Sequence, residues 1–160
     1  MKVARGSLVS PSEPRSQAGL YWGYTVRLAG SLSEVFTGCP HSSGYDLMLG
    51  TSEKGQDAAA ANLPKFQHLL VVFGGVAGLE AALAADSSLT AEDPAELFDQ
   101  VHIRTLICAW IGSIFSMNID LTTPQYLNVC PDQGSRTIRT EEAVLIALSA
   151  LRGKIKAANQ

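Results

Sequence analysis

An α/β domain built on a parallel sheet is predicted by three stretches of this 160-residue chain. Residues 68–73, His-Leu-Leu-Val-Val-Phe, form a continuous apolar run that stops at Gly74-Gly75, as strands buried on both faces do. Residues 45–49 alternate as Tyr-Asp-Leu-Met-Leu and give way to a polar loop, Gly50-Thr51-Ser52-Glu53-Lys54-Gly55. Residues 128–151 pass through a Pro-Asp-Gln-Gly turn into a helix whose Val144, Ala147, Leu148 and Leu151 recur at i, i+3, i+4 and i+7, marking one buried face. In open parallel sheets ligands bind beyond the carboxyl ends of the strands, so the loops after 45–49 and 68–73 are well placed for a site.

Taken in order, residues 1–9 read as a short strand and 10–19, with two prolines among mostly polar residues, as a linker or turn. Residues 24–36 carry Leu28, Leu32, Val35 and Phe36, which suits a helix ending near Gly38-Cys39-Pro40. Tyr21, Trp22 and Tyr24 fit either base stacking or a core position. Residues 58–63 suit a short helix closed by Pro64. Gly74, Gly75 and Gly78 open a helix through Leu79 and Leu83. This GGxxG spacing lacks both the GxGxxG pattern and a Walker lysine, so a turn that lets a ligand lie against backbone is the better reading. Residues 86–94 read as a polar loop, and 95–100 lead toward the last strand. At the final helix, Thr137 and Thr140 are candidate caps, and Glu141 and Glu142 place negative charge where the helix dipole favours it. Arg136 and Arg139 lie at the same end, where cations are locally unfavourable unless something anionic meets them.

The chain is long enough for one domain with a real core, and its 46% hydrophobic content fits a globular protein. A net charge of −3 does not advertise nucleic-acid binding, although a local basic patch is sufficient for it. Cys39, Cys108 and Cys130 stand far apart without CxxC spacing, and His41, His68 and His102 show no metal spacing. Neither a disulfide framework nor a metal site follows, and reduced thiols in an intracellular compartment are the simplest reading. The amino terminus lacks the apolar core of a signal peptide, and the most apolar run, 105–115, is too short to span a bilayer, so no membrane role is expected.

Four blocks carry a family resemblance: GLYWGYTVRLA at 19–29, GYDLMLGTSEKG at 44–55, LLVVFGGVAGLE at 69–80 and YLNVCPDQGSRTIRTEEA at 126–143. Together and in this order they resemble the SPOUT methyltransferases, and more narrowly the eukaryotic and archaeal branch with an OB-like insert, the RNA methyltransferases of the centromere-protein-32 type. The resemblance implies a SPOUT-type trefoil-knotted methyltransferase domain, a rare exception to unknotted chains, of which this sequence holds the carboxy-terminal portion only. Residues 1–10 then correspond to the end of the OB-like insert and 11–160 to the methyltransferase domain. The family's long amino-terminal half has no counterpart here. The resemblance further implies S-adenosyl-L-methionine as cofactor, RNA (ribosomal RNA) as partner, and a homodimer formed through the knot region. Its expected setting is intracellular, in the nucleus or nucleolus rather than the cytoplasm, with mitotic spindle association as an option.

By the same resemblance, cofactor contacts fall on Lys54, Gly74, Asn128 and Val129. The family often has arginine where Lys54 stands and threonine where Val129 stands. A single ammonium does not reproduce a guanidinium fork, and Val129 is expected to act through its backbone. The implied reaction is S-adenosylmethionine-dependent methylation of ribosomal RNA uridine at N3. Arg136 and Arg139 are the candidate catalytic residues: they either stabilise charge on the base carbonyls or grip RNA phosphate or a neighbouring subunit. Glu141 and Glu142 are helix-capping carboxylates or, less favoured, a general base. The alternatives to an enzyme are a noncatalytic scaffold or mitotic dimerisation protein that keeps the knot, and a defective truncated product.

Residues 101–125 depart from the family, which runs from LFDQ almost directly into YLN. The segment begins with valine and ends with glutamine, whose codons fit intron boundaries, and removing it joins Gln100 to Tyr126 in the family pattern. It reads as a translated retained intron or a gene-model error, with a lineage-specific insertion as the alternative.

Overall fold

The computed structural model describes residues 6–10, 12–17, 19, 25–98 and 125–160. Tyr21, Trp22, Tyr24, Cys108 and His102 lie outside them, as does the interposed segment apart from Gln125. The chain separates into two compact units, Met1–Gly30 and Ser31–Gln160. In the first, residues 6–10 are exposed and have no regular structure, so the strand expected over 1–9 does not form there. Strand structure needs a partner to satisfy its backbone, and none is paired with these residues. The stretch expected to be a linker contains one helical turn, α1 (Glu13–Ser16), started by a proline in its first turn.

The second unit holds the sheet. Strands β1 (Leu47–Asp57), β2 (Leu69–Phe73) and β3 (Tyr126–Asn128) are all parallel, in the order β2-β1-β3. Side chains alternate across β1, so the sheet has two buried faces. Met48 and Val72 pack with Leu79, Leu83, Leu97 and Phe98, from α3 (Gly78–Ala84) and a 3-10 turn (Pro94–Phe98). Leu47, Leu49 and Leu127 pack on the other face with Ala58, Ala61 and Leu151, the last from α4 (Thr140–Ala158).

Strand β1 is longer than its alternating apolar core. It continues through the polar residues expected to form a loop, because Gln56 and Asp57 pair with Leu127 and Asn128. Thr51 also pairs with Leu127, so residues 52–55 are set aside by a register shift while both halves of β1 embrace β3. Just before β3, the Gln125 carbonyl accepts a hydrogen bond from Gly50 N at 2.8 Å. The helix expected over 58–63 is a turn instead. Asp57 accepts from Ala59 N at 2.8 Å, and the Lys154 ammonium donates to the carbonyls of Ala59 and Ala61, both at 2.8 Å. Carbonyls bound to an ammonium are not serving a helical ladder, and this overrides the alanines' propensity.

The helix expected over 24–36 is confined to α2 (Leu32–Thr37). Ser31 Oγ accepts from Glu34 N at 3.2 Å, which fixes Ser31 as the N-cap and leaves residues 25–29 outside the helix. The supposed polar loop after α3 contributes to the same cap: the buried Asp86 carboxylate accepts from Ser33 N at 2.7 Å and from the Ser88 hydroxyl. The Ser88 hydroxyl first, then the Ser33 amide, hold the Asp86 carboxyl well below its ordinary value. A depressed folded-state value means that Asp86 stabilises the fold above its unfolded value near 3.8, and that this contribution is lost as pH falls below it. Asp86→Asn is therefore expected to lower the melting temperature at pH 7, with the gap from wild type narrowing below about pH 4 in a pH series of thermal melts.

Helix α4 also differs from its expected outline. Arg139, not a threonine, is the N-cap residue, and its amide donates to the Glu142 carboxylate at 3.3 Å. The Ser135 hydroxyl donates to the Thr137 carbonyl, and Thr140 is engaged elsewhere. Ala147 and Leu151 are buried as expected, Val144 is half-buried, and Leu148 is exposed together with Leu145. No helix among the described residues is long and apolar enough to cross a membrane.

Candidate functional site

Because β2 and β3 flank β1 on opposite sides, the connections leaving their carboxyl ends diverge and leave a crevice, the usual ligand position in open parallel sheets. A cavity of about 670 Å³ occupies that position. Its walls come from four segments: residues 51–54 of β1, 73–80 around the glycine turn, 126–130 of β3 and its exit, and 133–146 leading into α4. Lys54, Gly74, Asn128, Val129, Arg136 and Arg139 all line it, so six residues separated by as many as 85 positions in the chain share one wall system.

Three side-chain contacts lock these segments together. Thr140 Oγ1 donates to the Gly74 carbonyl at 3.1 Å, tying the start of α4 to the glycine turn. Asn128 Nδ2 donates to the Glu53 carbonyl at 3.0 Å, while its Oδ1 accepts from Cys130 N at 3.0 Å. The Asn128 carbonyl accepts from Ala58 N at 2.8 Å, so most of this residue's polar capacity is spent shaping the loops. Val129 packs against the core cluster beneath α4 and also lines the cavity.

Lys54 does not stand alone. Its ammonium donates to Glu80 Oε1 at 2.6 Å, joining the β1 exit to the first turn of α3. The hydrogen bond and then the charge of Glu80 raise the Lys54 ammonium above its ordinary value; reciprocally, the bond from Lys54 draws the Glu80 carboxyl down. Glu80 was not singled out by sequence reasoning. The available signal was a lone carboxylate in the otherwise apolar run GLEAALA. Tyr126 was also passed over: its ring lines the cavity, stacks on Phe98 with centroids 5.8 Å apart, and its hydroxyl is raised mainly by burial.

Arg136 and Arg139 reach the same cavity from its exposed side. Arg139 lies 4.0 Å from Glu141 in a pair of largely exposed side chains, a loose contact that leaves the guanidinium accessible. Glu142 is engaged by the Arg139 amide, in keeping with capping. His41 and His68 stack with ring centroids 3.8 Å apart, away from the cavity lining, and no metal-holding cluster occurs among the described residues. Cys39 and Cys130 are free thiols.

Residues 1–151 match the family described as "Putative RNA methyltransferase". The chain belongs to this RNA methyltransferase family. A Mus musculus protein named 28S rRNA (uridine-N(3))-methyltransferase is 51% identical over 151 residues, covering 94% of this chain and 33% of the mouse protein. A Homo sapiens protein of the same name is 50% identical over 151 residues, covering 94% of the chain and 34% of the relative. The Drosophila melanogaster protein of that name is 47% identical over 154 residues, covering 95% and 27% respectively. The chain thus spans about a third of the length of the curated relatives it matches.

Proposed function

We propose that this chain carries the donor-binding portion of an S-adenosylmethionine-dependent methyltransferase acting on N3 of a uridine in ribosomal RNA. The observation that carries the reading is the convergence of Lys54, Gly74, Asn128 and Val129 on one cavity with Arg136 and Arg139 at its exposed side. The cavity volume of about 670 Å³ lies inside the range of about 300–1,000 Å³ usual for small-molecule sites. The residues fit such a donor chemically. Open space over Gly75 gives a flat ligand access to backbone, Ile138 and Ile146 supply apolar surface, and Lys54 and Glu80 supply charge for polar ends.

S-adenosylmethionine, when bound, supplies a methyl group already activated by a positively charged sulfur. The protein's share is therefore mostly positioning. Gly74, held by Thr140, and the residues around Asn128, held by Glu53 and Cys130, form a rigid cradle. The N3 proton of uridine passes to solvent water, and Arg136 or Arg139 stabilises the negative charge left on the flanking base carbonyls until N3 takes the methyl group. The trefoil knot belongs to the same reading and rests on the resemblance to the SPOUT methyltransferases. A homodimer through the α4 region is supported by the exposed apolar Leu145 and Leu148. A nuclear or nucleolar setting, rather than a cytoplasmic one, belongs to the same reading.

Transfer of tritiated methyl from S-adenosylmethionine to 28S rRNA, followed by mapping of the modified base, tests the reading. Arg136→Ala with Arg139→Ala is expected to weaken rRNA binding and to reduce the slope of log affinity against log salt by about 1 for each arginine that meets phosphate. Labelling that maps to a site other than uridine N3 overturns the substrate assignment. Tight donor binding with no transfer to any rRNA favours the noncatalytic scaffold.

A further inference from the structure

The Lys54–Glu80 pair is a puzzle if its role is to hold the fold. Its partners are 65% and 42% exposed, and ion pairs in such settings add little stability. Yet the arrangement is built with care. Gly78, at φ +74°, leaves the space that the Glu80 carboxylate occupies; a side chain at that position would collide with Glu80 Oε2. The backbone amides of Glu80 and Leu79 also help hold this carboxylate in its charged form. The result is a cation and an anion 2.6 Å apart on the wall of the cavity.

An α-amino acid carries its ammonium and carboxylate at a comparable separation, roughly 2.5–3 Å by covalent geometry. We infer that Lys54 and Glu80 together recognise the amino-acid zwitterion of a donor or product molecule, Lys54 taking the carboxylate and Glu80 the ammonium. This inference rests on the donor-binding reading above and adds Glu80 to it as a specificity-determining residue. The match is electrostatic and two-sided. A ligand with only a carboxylate would leave Glu80 facing it in repulsion, and one with only an amine would do the same to Lys54.

Two related ligands separate this inference from its premise. S-adenosylhomocysteine carries the zwitterion, whereas 5′-methylthioadenosine keeps the nucleoside and an uncharged sulfur but lacks the amino-acid end. In calorimetric titrations of the full 160-residue chain, Glu80→Gln and Lys54→Met are each expected to weaken S-adenosylhomocysteine about tenfold and methylthioadenosine less than about twofold. Unchanged methylthioadenosine binding also reports an intact fold. The swapped pair, Lys54→Glu with Glu80→Lys, keeps a salt bridge but sets each charge against its like. It is expected to stay weak toward S-adenosylhomocysteine alone. Recovery of S-adenosylhomocysteine binding in the swapped pair, or equal losses for both ligands in the single variants, overturns the inference in favour of a structural bridge. Failure of the wild-type chain to bind either ligand overturns the donor-binding reading itself, and this inference with it.

Discussion

Gly55→Ala is expected to cost about 3 kcal/mol of stability and to lower the melting temperature by roughly 10 °C. The reason is local and steric. A methyl at Gly55 would sit 2.5 Å from the Leu127 carbonyl carbon and 2.7 Å from both Leu127 N and Tyr126 O. All three atoms are backbone, so no rotamer change relieves the collision. Gly55 lies where β1 returns to β3, and Leu127, wholly buried, is paired by both halves of β1. Pushing β3 away therefore separates Leu127 from Leu47, Leu49 and Leu151 in one movement. Thermal melting followed by circular dichroism measures the effect. A variant melting within about 2 °C of wild type would show that β3 does not pass so close to Gly55.

The second large effect is expected in binding. A methyl at Gly74 would lie 2.9 Å from Gly78 C and Leu79 N and 3.0 Å from Gly78 Cα, again all backbone. The turn has to open, and it carries with it the carbonyl that accepts from Thr140 and the start of α3 that carries Glu80. Losing a buried hydrogen bond at the turn costs about 1–3 kcal/mol, and Gly74→Ala is expected to reduce affinity for S-adenosylhomocysteine about tenfold. Stability should fall less than for Gly55→Ala, by about 1–2 kcal/mol, because the turn lies at the edge of the core rather than within it. Titration calorimetry beside a thermal melt separates the two quantities. Wild-type affinity in the variant would remove the glycine turn from the site.

Those two glycines illustrate what the sequence made legible. The run 68–73 followed by glycines identified β2 and its turn, because a strand buried on both faces has to be apolar throughout and then stop abruptly. The site loops followed from the same logic, since the carboxyl ends of parallel strands gather at one edge. What stayed hidden depends on partners distant in the chain. The second half of β1 is polar and reads as loop; its strand character comes from pairing with β3, which lies more than 70 residues later. Alanines 58–61 favour helix locally, but Asp57 and Lys154 claim their backbone groups. Leu148 fits the apolar stripe of α4 yet is exposed, because periodicity reports where apolar residues lie and not whether this chain covers them. Glu80 lies within a family block, but nothing at position 80 announces an ion pair with position 54.

The proposed function turns on one point: that the crevice at the ends of β1, β2 and β3 binds a methyl donor. Titration of the chain with S-adenosylhomocysteine tests this most directly. Saturable one-to-one binding is expected, weakened about tenfold by Gly74→Ala. A chain that melts cooperatively, and so is folded, but shows no binding to S-adenosylhomocysteine or S-adenosylmethionine would contradict it.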